Sequence, residues 1–235
     1  MPHALWDELA ARANVALSDE QTRQLHQYID LLLAANERMN LTRIADRAAA
    51  EVGHVGDALT ILPFLPTATH QLVDVGSGGG VPGLPLAIAR PDAAVLLIES
   101  TQKKAAFLAE TAKTLGLTNV RVSPMRAEDA GFSPSRDRFD VAVARAVGAM
   151  AFLAEWCLPL VKKGGKFLAM KGARITEELP AAAVAIKAVG GGAPVVHPVS
   201  LPGAEHHVVV EIRKVGPTPS KYPRRATQAK GKPLI

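Results

Sequence analysis

Residues 72–83 read Leu-Val-Asp-Val-Gly-Ser-Gly-Gly-Gly-Val-Pro-Gly, and no other stretch constrains the chain as tightly. An apolar run of strand length carries an acid, Asp74, and passes into a loop with four glycines that ends at Pro82 and a new helical segment. Glycine lets the backbone turn tightly and lets a ligand come close to the main chain. The helix that follows points its free N–H groups back at that ligand. Strand, glycine loop and helix in this order are how a doubly wound α/β fold holds an adenosine-containing cofactor.

The rest of the chain fits that frame. Ser18 to Gln21 form a capping box, followed by Leu25, Tyr28, Ile29, Leu32 and Leu33 at helical spacing, and a shorter helix is expected at Leu5 to Ala13. From residue 71 the pattern alternates: strands are expected at 71–75, 94–99, 120–123, 139–144 and 165–171, with helices at 84–90, 103–115, 150–160 and 176–188. Such alternation means a parallel sheet with right-handed crossovers. Two last strands, 194–201 and 206–214, joined near Pro202-Gly203, suggest an antiparallel hairpin at one sheet edge. The expected organisation is a helical extension over 1–66, a cofactor-binding core over 67–215 and a basic tail over 216–235.

Composition closes off other classes. With 48% hydrophobic and 21% charged residues the chain is globular. A single cysteine, Cys157, excludes an intramolecular disulfide framework and a Cys-cluster zinc site; it lies in an apolar helical run and reads as core. Asp7 and Glu8 interrupt the N-terminus before any leader-like run, and no apolar stretch is long enough to span a bilayer. The expectation is a cytoplasmic protein with no metal and no membrane partner. The net charge of +5 matters through its placement: after Glu211 there is no acid, while Arg213, Lys214, Lys221, Arg224, Arg225, Lys230 and Lys232 follow. Such a tail reads either as an electrostatic footprint for a polyanion or as a solvated, frayed terminus.

Gly78-x-Gly80-x-x-Gly83 formally matches the dinucleotide fingerprint, which is weak evidence alone. Asp74 ahead of the glycines gives the acid-x-Gly-x-Gly-x-Gly pattern of Rossmann-like methyltransferases, where the acid is expected near the methionine ammonium of S-adenosyl-L-methionine. Glu99 ends the second strand, 23 residues after Gly76, where a carboxylate accepts the ribose hydroxyls; dehydrogenases share that device. Ala127-Glu128 follows the third strand, at the position of adenine. Glycines after a strand can be a mere turn, and Glu99 or Glu128 a plain helix-start or surface acid. Their joint occurrence in the right order favours a methyltransferase over a nicotinamide enzyme. Strand four ends Val141-Ala142-Val143-Ala144-Arg145-Ala146, without the Pro-Pro-aromatic motif of exocyclic-amine methylation. With no covalent or general-base machinery apparent, an acceptor whose lone pair needs no deprotonation, such as guanine N7, is permitted but not required.

The run Asp74 to Ile88 resembles the signature of the RsmG family, also called glucose-inhibited division protein B. Further matches span almost the whole chain: Met39-Asn40-Leu41-Thr42, His54 with Asp57, Lys103-Lys104 with Phe107-Leu108, Arg126-Ala127-Glu128, Arg145-Ala146, Lys171-Gly172 and Tyr222-Pro223-Arg224-Arg225. The resemblance implies a class I S-adenosyl-L-methionine-dependent methyltransferase with a mostly parallel seven-stranded sheet and an antiparallel edge strand. It implies an enzyme that methylates N7 of one guanine, position 527 in standard small-subunit numbering, in 16S ribosomal RNA of the small subunit or its assembly intermediate. Carried over residue by residue, it places the cofactor at Gly76, Val81, Ala127, Glu128 and Arg145, with Glu99 at the ribose; Asp74 and Gly78 join the candidates from the loop pattern. Arg145, Lys171, Lys221, Arg224 and Arg225 are the candidates for touching RNA. His54 and Asp57 are expected where the helical extension meets the core, with His54 in a structural role. Two departures from the family pattern are Ala58, where Ser is frequent, and His206, where Arg is frequent. The readings left open are another acceptor (other RNA, protein or small molecule) and a catalytically silent RNA-binding protein.

Overall fold

The computed structural model describes residues 2–204, 206–229 and 231–234, so Lys230 of the basic tail lies outside the described residues. Helices α1 (Pro2–Ala11) and α2 (Asp19–Met39) open the chain. The capping box forms: Ser18 Oγ accepts from the Gln21 N–H, and Gln21 Oε1 accepts from the Ser18 N–H. Asn40 ends α2 in the left-handed region, a conformation Asn tolerates. Short turns α3 (Arg47–Ala50) and α4 (Asp57–Leu59) flank one wider, π-helical turn, Glu51–Gly56.

The core follows as β1 (Gln71–Val75), α5 (Gly83–Ala89), β2 (Ala94–Ile98), α6 (Gln102–Thr114), β3 (Val120–Ser123), α7 (Ala127–Ala130) and β4 (Phe139–Arg145). It continues as α8 (Met150–Cys157), β5 (Val161–Lys171), α9 (Ile175–Ala188), β6 (Val195–Pro198), β7 (Val208–Arg213) and α10 (Ala226–Ala229). The seven strands lie in the order β3-β2-β1-β4-β5-β7-β6. β1 to β5 are parallel; β7 runs antiparallel to β5 and to β6, so the hairpin holds the edge with β6 outermost. β1 is buried at four of its five positions, because helices cover both faces of a parallel sheet. One apolar cluster joins Trp6, Leu25, Tyr28 and Leu32 to Leu72, Leu84 and Leu97, so the N-terminal helices share a core with one sheet face. The other face packs on α8 and α9 through Leu153, Cys157, Ala182 and Ile186.

The tail departs from the sequence reading. Residues from Gly216 to Arg225 lie along the core. Lys214 is fully buried, its ammonium donating to Leu158 O and the Thr218 hydroxyl. Burial pulls the Lys214 pKa down to about 8. Arg224 is clamped on Glu155, an acid buried in α8 at 1% exposure. Charge counted along the sequence does not reveal that two of these cations hold the fold together.

Candidate active site

The order β3-β2-β1-β4 puts the ends of four strands side by side, and the strand order reverses between β1 and β4. Ligands in open α/β sheets bind at that switch point, beyond the carboxyl ends of the strands. Four of the sequence candidates stand there in a row: the glycine loop after β1, Glu99 after β2, Ala127-Glu128 after β3 and Arg145 closing β4.

The loop is built for close approach. Gly76 has φ +75° and faces Val147: a Cβ there would lie 2.7 Å from a Val147 methyl. The Gly76 and Ser77 N–H groups both donate to Ile98 O, which ties the loop to β2. From the other side, the Tyr28 hydroxyl donates to Gly79 O at 2.9 Å, and Leu32 packs on Gly79. The helical extension is therefore a wall of the loop. Sequence periodicity marked Tyr28 only as an apolar core position and gave no sign of this hydrogen bond.

Glu99 is buried, with both carboxylate oxygens engaged: one accepts from Gly78 N–H at 3.0 Å, the other from Thr101 N–H at 2.7 Å. Beside Gly78 the space is open, since the nearest heavy atom to a Cβ built there is Gly76 O at 3.8 Å. A fixed carboxylate next to an open cradle suits a vicinal diol, because a carboxylate oxygen has lone pairs for more than one donor. Val81, Ala127 and Glu128 are half-buried at the same end of the sheet.

Asp74 corrects the sequence expectation. It is fully buried beneath the loop, where Oδ2 accepts from Gly83 N–H at 3.1 Å and Oδ1 has no partner. Burial pushes its pKa up to about 7. A Cβ on Gly83 would lie 2.7 Å from that carboxyl and 2.3 Å from Leu97, so glycine is required for α5 to sit this close to the sheet. Asp74 shapes the loop from below; it does not reach the open side where the ammonium was expected.

Arg145 is the centre of a network that sequence reading saw only in part. Its Nη1 donates to Gly53 O and Asp57 Oδ2, both at 2.7 Å, and its Nη2 donates to His54 Nδ1 at 2.9 Å. Arginine only donates, so His54 Nδ1 accepts and the ring proton is on Nε2, which donates to Thr42 Oγ1 at 2.9 Å. Burial, then the neighbouring Arg145 charge, pull the His54 pKa down to about 4, so the imidazole is neutral. Asp57 Oδ1 accepts from His207 Nδ1 at 3.1 Å, and that bond raises the His207 pKa. The π-helical turn lets Gly53, His54 and Asp57 converge on one guanidinium. His54 and Asp57 were singled out from the sequence; His207 was not, and its neighbour His206 is exposed. These contacts use three of the five Arg145 N–H groups and leave two.

Next to Arg145 opens a cleft of about 940 Å³ between the π-helical turn, the ends of β4 and β5 and the start of β7. Its edge carries Ala146, a non-glycine residue at φ +56°, as occurs where chain geometry serves a site. Lys171 lies in its wall but is already engaged, pairing with Glu178 at 2.6 Å and donating to Gly148 O. The candidate RNA contact at Lys171 is thus an ion-paired ammonium, and the one at Arg224 a guanidinium clamped on Glu155. Lys221 and Arg225 remain exposed, Lys221 over the Tyr222 ring and Arg225 over the Phe132 ring. Among the described residues there is no group of His, Cys, Asp or Glu placed to hold a metal ion, and no helix long and apolar enough to cross a membrane.

Comparison with known proteins places this geometry in a family. The family model described as "GidB: rRNA small subunit methyltransferase G" matches residues 21–206. A ribosomal RNA small subunit methyltransferase G from Lactobacillus delbrueckii subsp. bulgaricus is 42% identical over 98% of each chain. One from Roseiflexus sp. is 44% identical over 91% of this chain and 92% of that one. Among solved structures, an S-adenosylmethionine-dependent methyltransferase from Aquifex aeolicus superposes with a TM-score of 0.58 at 14% identity, covering 75% of this chain and 97% of that one. A variant of the 16S rRNA (adenine(1408)-N(1))-methyltransferase from Catenulisporales acidiphilia, with its cosubstrate, gives 0.53 at 17% identity over 65% and 88%. The two structures share the fold.

Proposed function

We infer the reaction from one premise: this chain belongs to the rRNA small subunit methyltransferase G family. It is an S-adenosyl-L-methionine-dependent methyltransferase of small-subunit ribosomal RNA. We propose that the cofactor lies along the strand ends, with Glu99 accepting from the ribose hydroxyls, Ala127-Glu128 beside the adenine, and Gly76, Gly78 and Val81 lining the loop. When bound, the cofactor supplies an electrophilic methyl group on a sulfonium sulfur. Arg145 lines the cleft with two N–H groups to spare, and this cleft admits the base.

The acceptor proposed is guanine N7. The observation that carries it is the saturation of His54: one ring nitrogen accepts from Arg145 and the other donates to Thr42, and its pKa near 4 leaves it a poor base. Asp57 is likewise held by Arg145 and His207. These side chains orient; they are not free to take a proton. Guanine N7 carries an in-plane lone pair and needs alignment alone, which holding and orienting residues provide. The N7 edge must be exposed, so the guanine is presented from a loop or unstacked segment. Lys221 and Arg225 are the proposed phosphate contacts, and the working place is the cytoplasm, on the small subunit or its assembly intermediate. Incubation with methyl-labelled cofactor tests this, using free 16S rRNA and small subunits that lack the modification. Label in one RNA position supports the reading; cofactor binding without transfer to either RNA form overturns it.

A further inference from the structure

We propose that the segment Gly216 to Arg225 is a strap that positions α7, and that Arg136 and Glu155 are positioning residues for the cofactor through it. The sequence reads this segment as a polyanion footprint or a frayed terminus; its contacts show a packed one. α7 has only four residues, and only Ala130 among them is buried. A helix so short draws its stability from what packs on it. Its far end, Gly131, lies directly under the strap: a Cβ on Gly131 would sit 2.4 Å from Pro223 Cδ and 2.6 Å from Cγ. The Arg136 guanidinium joins the two pieces, donating to Gly131 O at 2.9 Å, Tyr222 O at 2.8 Å and Thr218 O at 2.7 Å.

The strap is in turn fixed at both ends. Glu155 accepts from the Arg224 backbone N–H at 2.7 Å and from Nε and Nη2 at 2.8 Å each. At the other end the Thr218 hydroxyl donates to Val189 O, and the buried Lys214 ammonium donates to Thr218. Two planar, multidentate arginine contacts, one on each side of Pro223, hold a chain segment more specifically than single charges do. The consequence reaches the cofactor because Ala127 and Glu128 are the first two residues of α7; this step rests on the reading that they receive the adenine.

The test is binding of S-adenosyl-L-methionine, and separately of adenosine, to the full-length protein carrying Gly131→Ala, Arg136→Lys or Glu155→Gln. Gly131→Ala drives Pro223 away. Arg136→Lys keeps the charge but cannot span the carbonyls. Glu155→Gln keeps the shape but loses the charged clamp. The expected result is about a tenfold weaker dissociation constant for both ligands, in the same ratio. Amide exchange should quicken at residues 127–131 and stay protected in β1 and β4, which a global loss of fold would not give. If Gly131→Ala does not fold, the other two variants carry the test. Wild-type affinity for both ligands in folded Arg136→Lys and Glu155→Gln proteins overturns the strap. Glu128→Ala and Ala127→Trp with an intact strap address the adenine reading separately: unchanged adenosine affinity there removes that reading, whatever the strap variants do.

Discussion

Removing the Asp57 carboxylate is the sharpest test of the Arg145 network. Asp57 is 4% exposed and the Arg145 side chain 20% exposed, so the pair is shielded from solvent on one side and nearly so on the other. Taking one partner from a buried pair costs roughly 3–5 kcal/mol, because the remaining charge is left uncompensated. Arg145 would retain Gly53 O and His54, which argues for the lower end, about 3 kcal/mol. For a chain of this size each kcal/mol lowers Tm by roughly 2–4 °C, so Asp57→Ala should melt about 6–12 °C below the parent. Asp57→Asn keeps an oxygen toward Arg145 and should lose about half of that. His207→Ala removes a contact that is 43% exposed and should shift Tm by about 2 °C or less. The assay is thermal unfolding followed by calorimetry, with methyl transfer measured below the melting range. Because the network aims Arg145, kcat should fall more than the cofactor's dissociation constant rises. An Asp57→Ala protein that melts within about 2 °C of the parent would refute the argument that the pair is buried and structural.

Glu99→Gln can accept from only one of Gly78 and Thr101, since its amide nitrogen donates, and it removes the charge; cofactor affinity should drop roughly 10- to 100-fold, the range for a charge-assisted hydrogen bond, with little change in RNA binding by titration. For His54 the sign follows from a folded pKa of about 4 against an ordinary 6.5. The unfolded chain binds the extra proton between those values, so stability is full above pH 6.5 and falls by roughly 3 kcal/mol as pH drops to 4. His54→Gln should flatten that part of the denaturation profile. Replacing Lys221 and Arg225 together by Ala should reduce the slope of log affinity against log salt by about 1.4 for single-stranded RNA, leaving cofactor binding unchanged.

What the sequence revealed and what it hid have physical reasons. The strand-loop-helix at 72–83 was legible because its glycines and its acid answer local demands: a left-handed backbone at Gly76, and a carboxyl under the Gly83 N–H. Arg145 was legible as the last residue of an apolar strand. The role of Asp74 was not, because burial beneath a loop and exposure above it have the same sequence pattern. Nor were the partners of Arg145. A π-helical turn at Glu51–Gly56 is set by tertiary packing, and His207 arrives from 150 residues beyond Asp57. The packing of the tail was not legible because net charge says nothing of a hidden counter-charge. The available signal was Glu155, a lone acid in the apolar run Met150 to Cys157, with no sequence-local partner. An acid in such a run calls for a cation from elsewhere in the chain.

Transfer of a methyl group to one guanine N7 is the proposed step that can be read most directly. N7-methylation weakens the ring, so borohydride reduction followed by aniline cuts the RNA chain at that nucleotide alone. Small subunits lacking the modification should be incubated with the protein and S-adenosyl-L-methionine, and the rRNA then reduced, cut and mapped by primer extension. One new stop is expected, at a single unpaired guanine of 16S rRNA, present with the parent protein and much reduced with Glu99→Gln. Methyl incorporation without any such cut would put the group on another atom and contradict the claim.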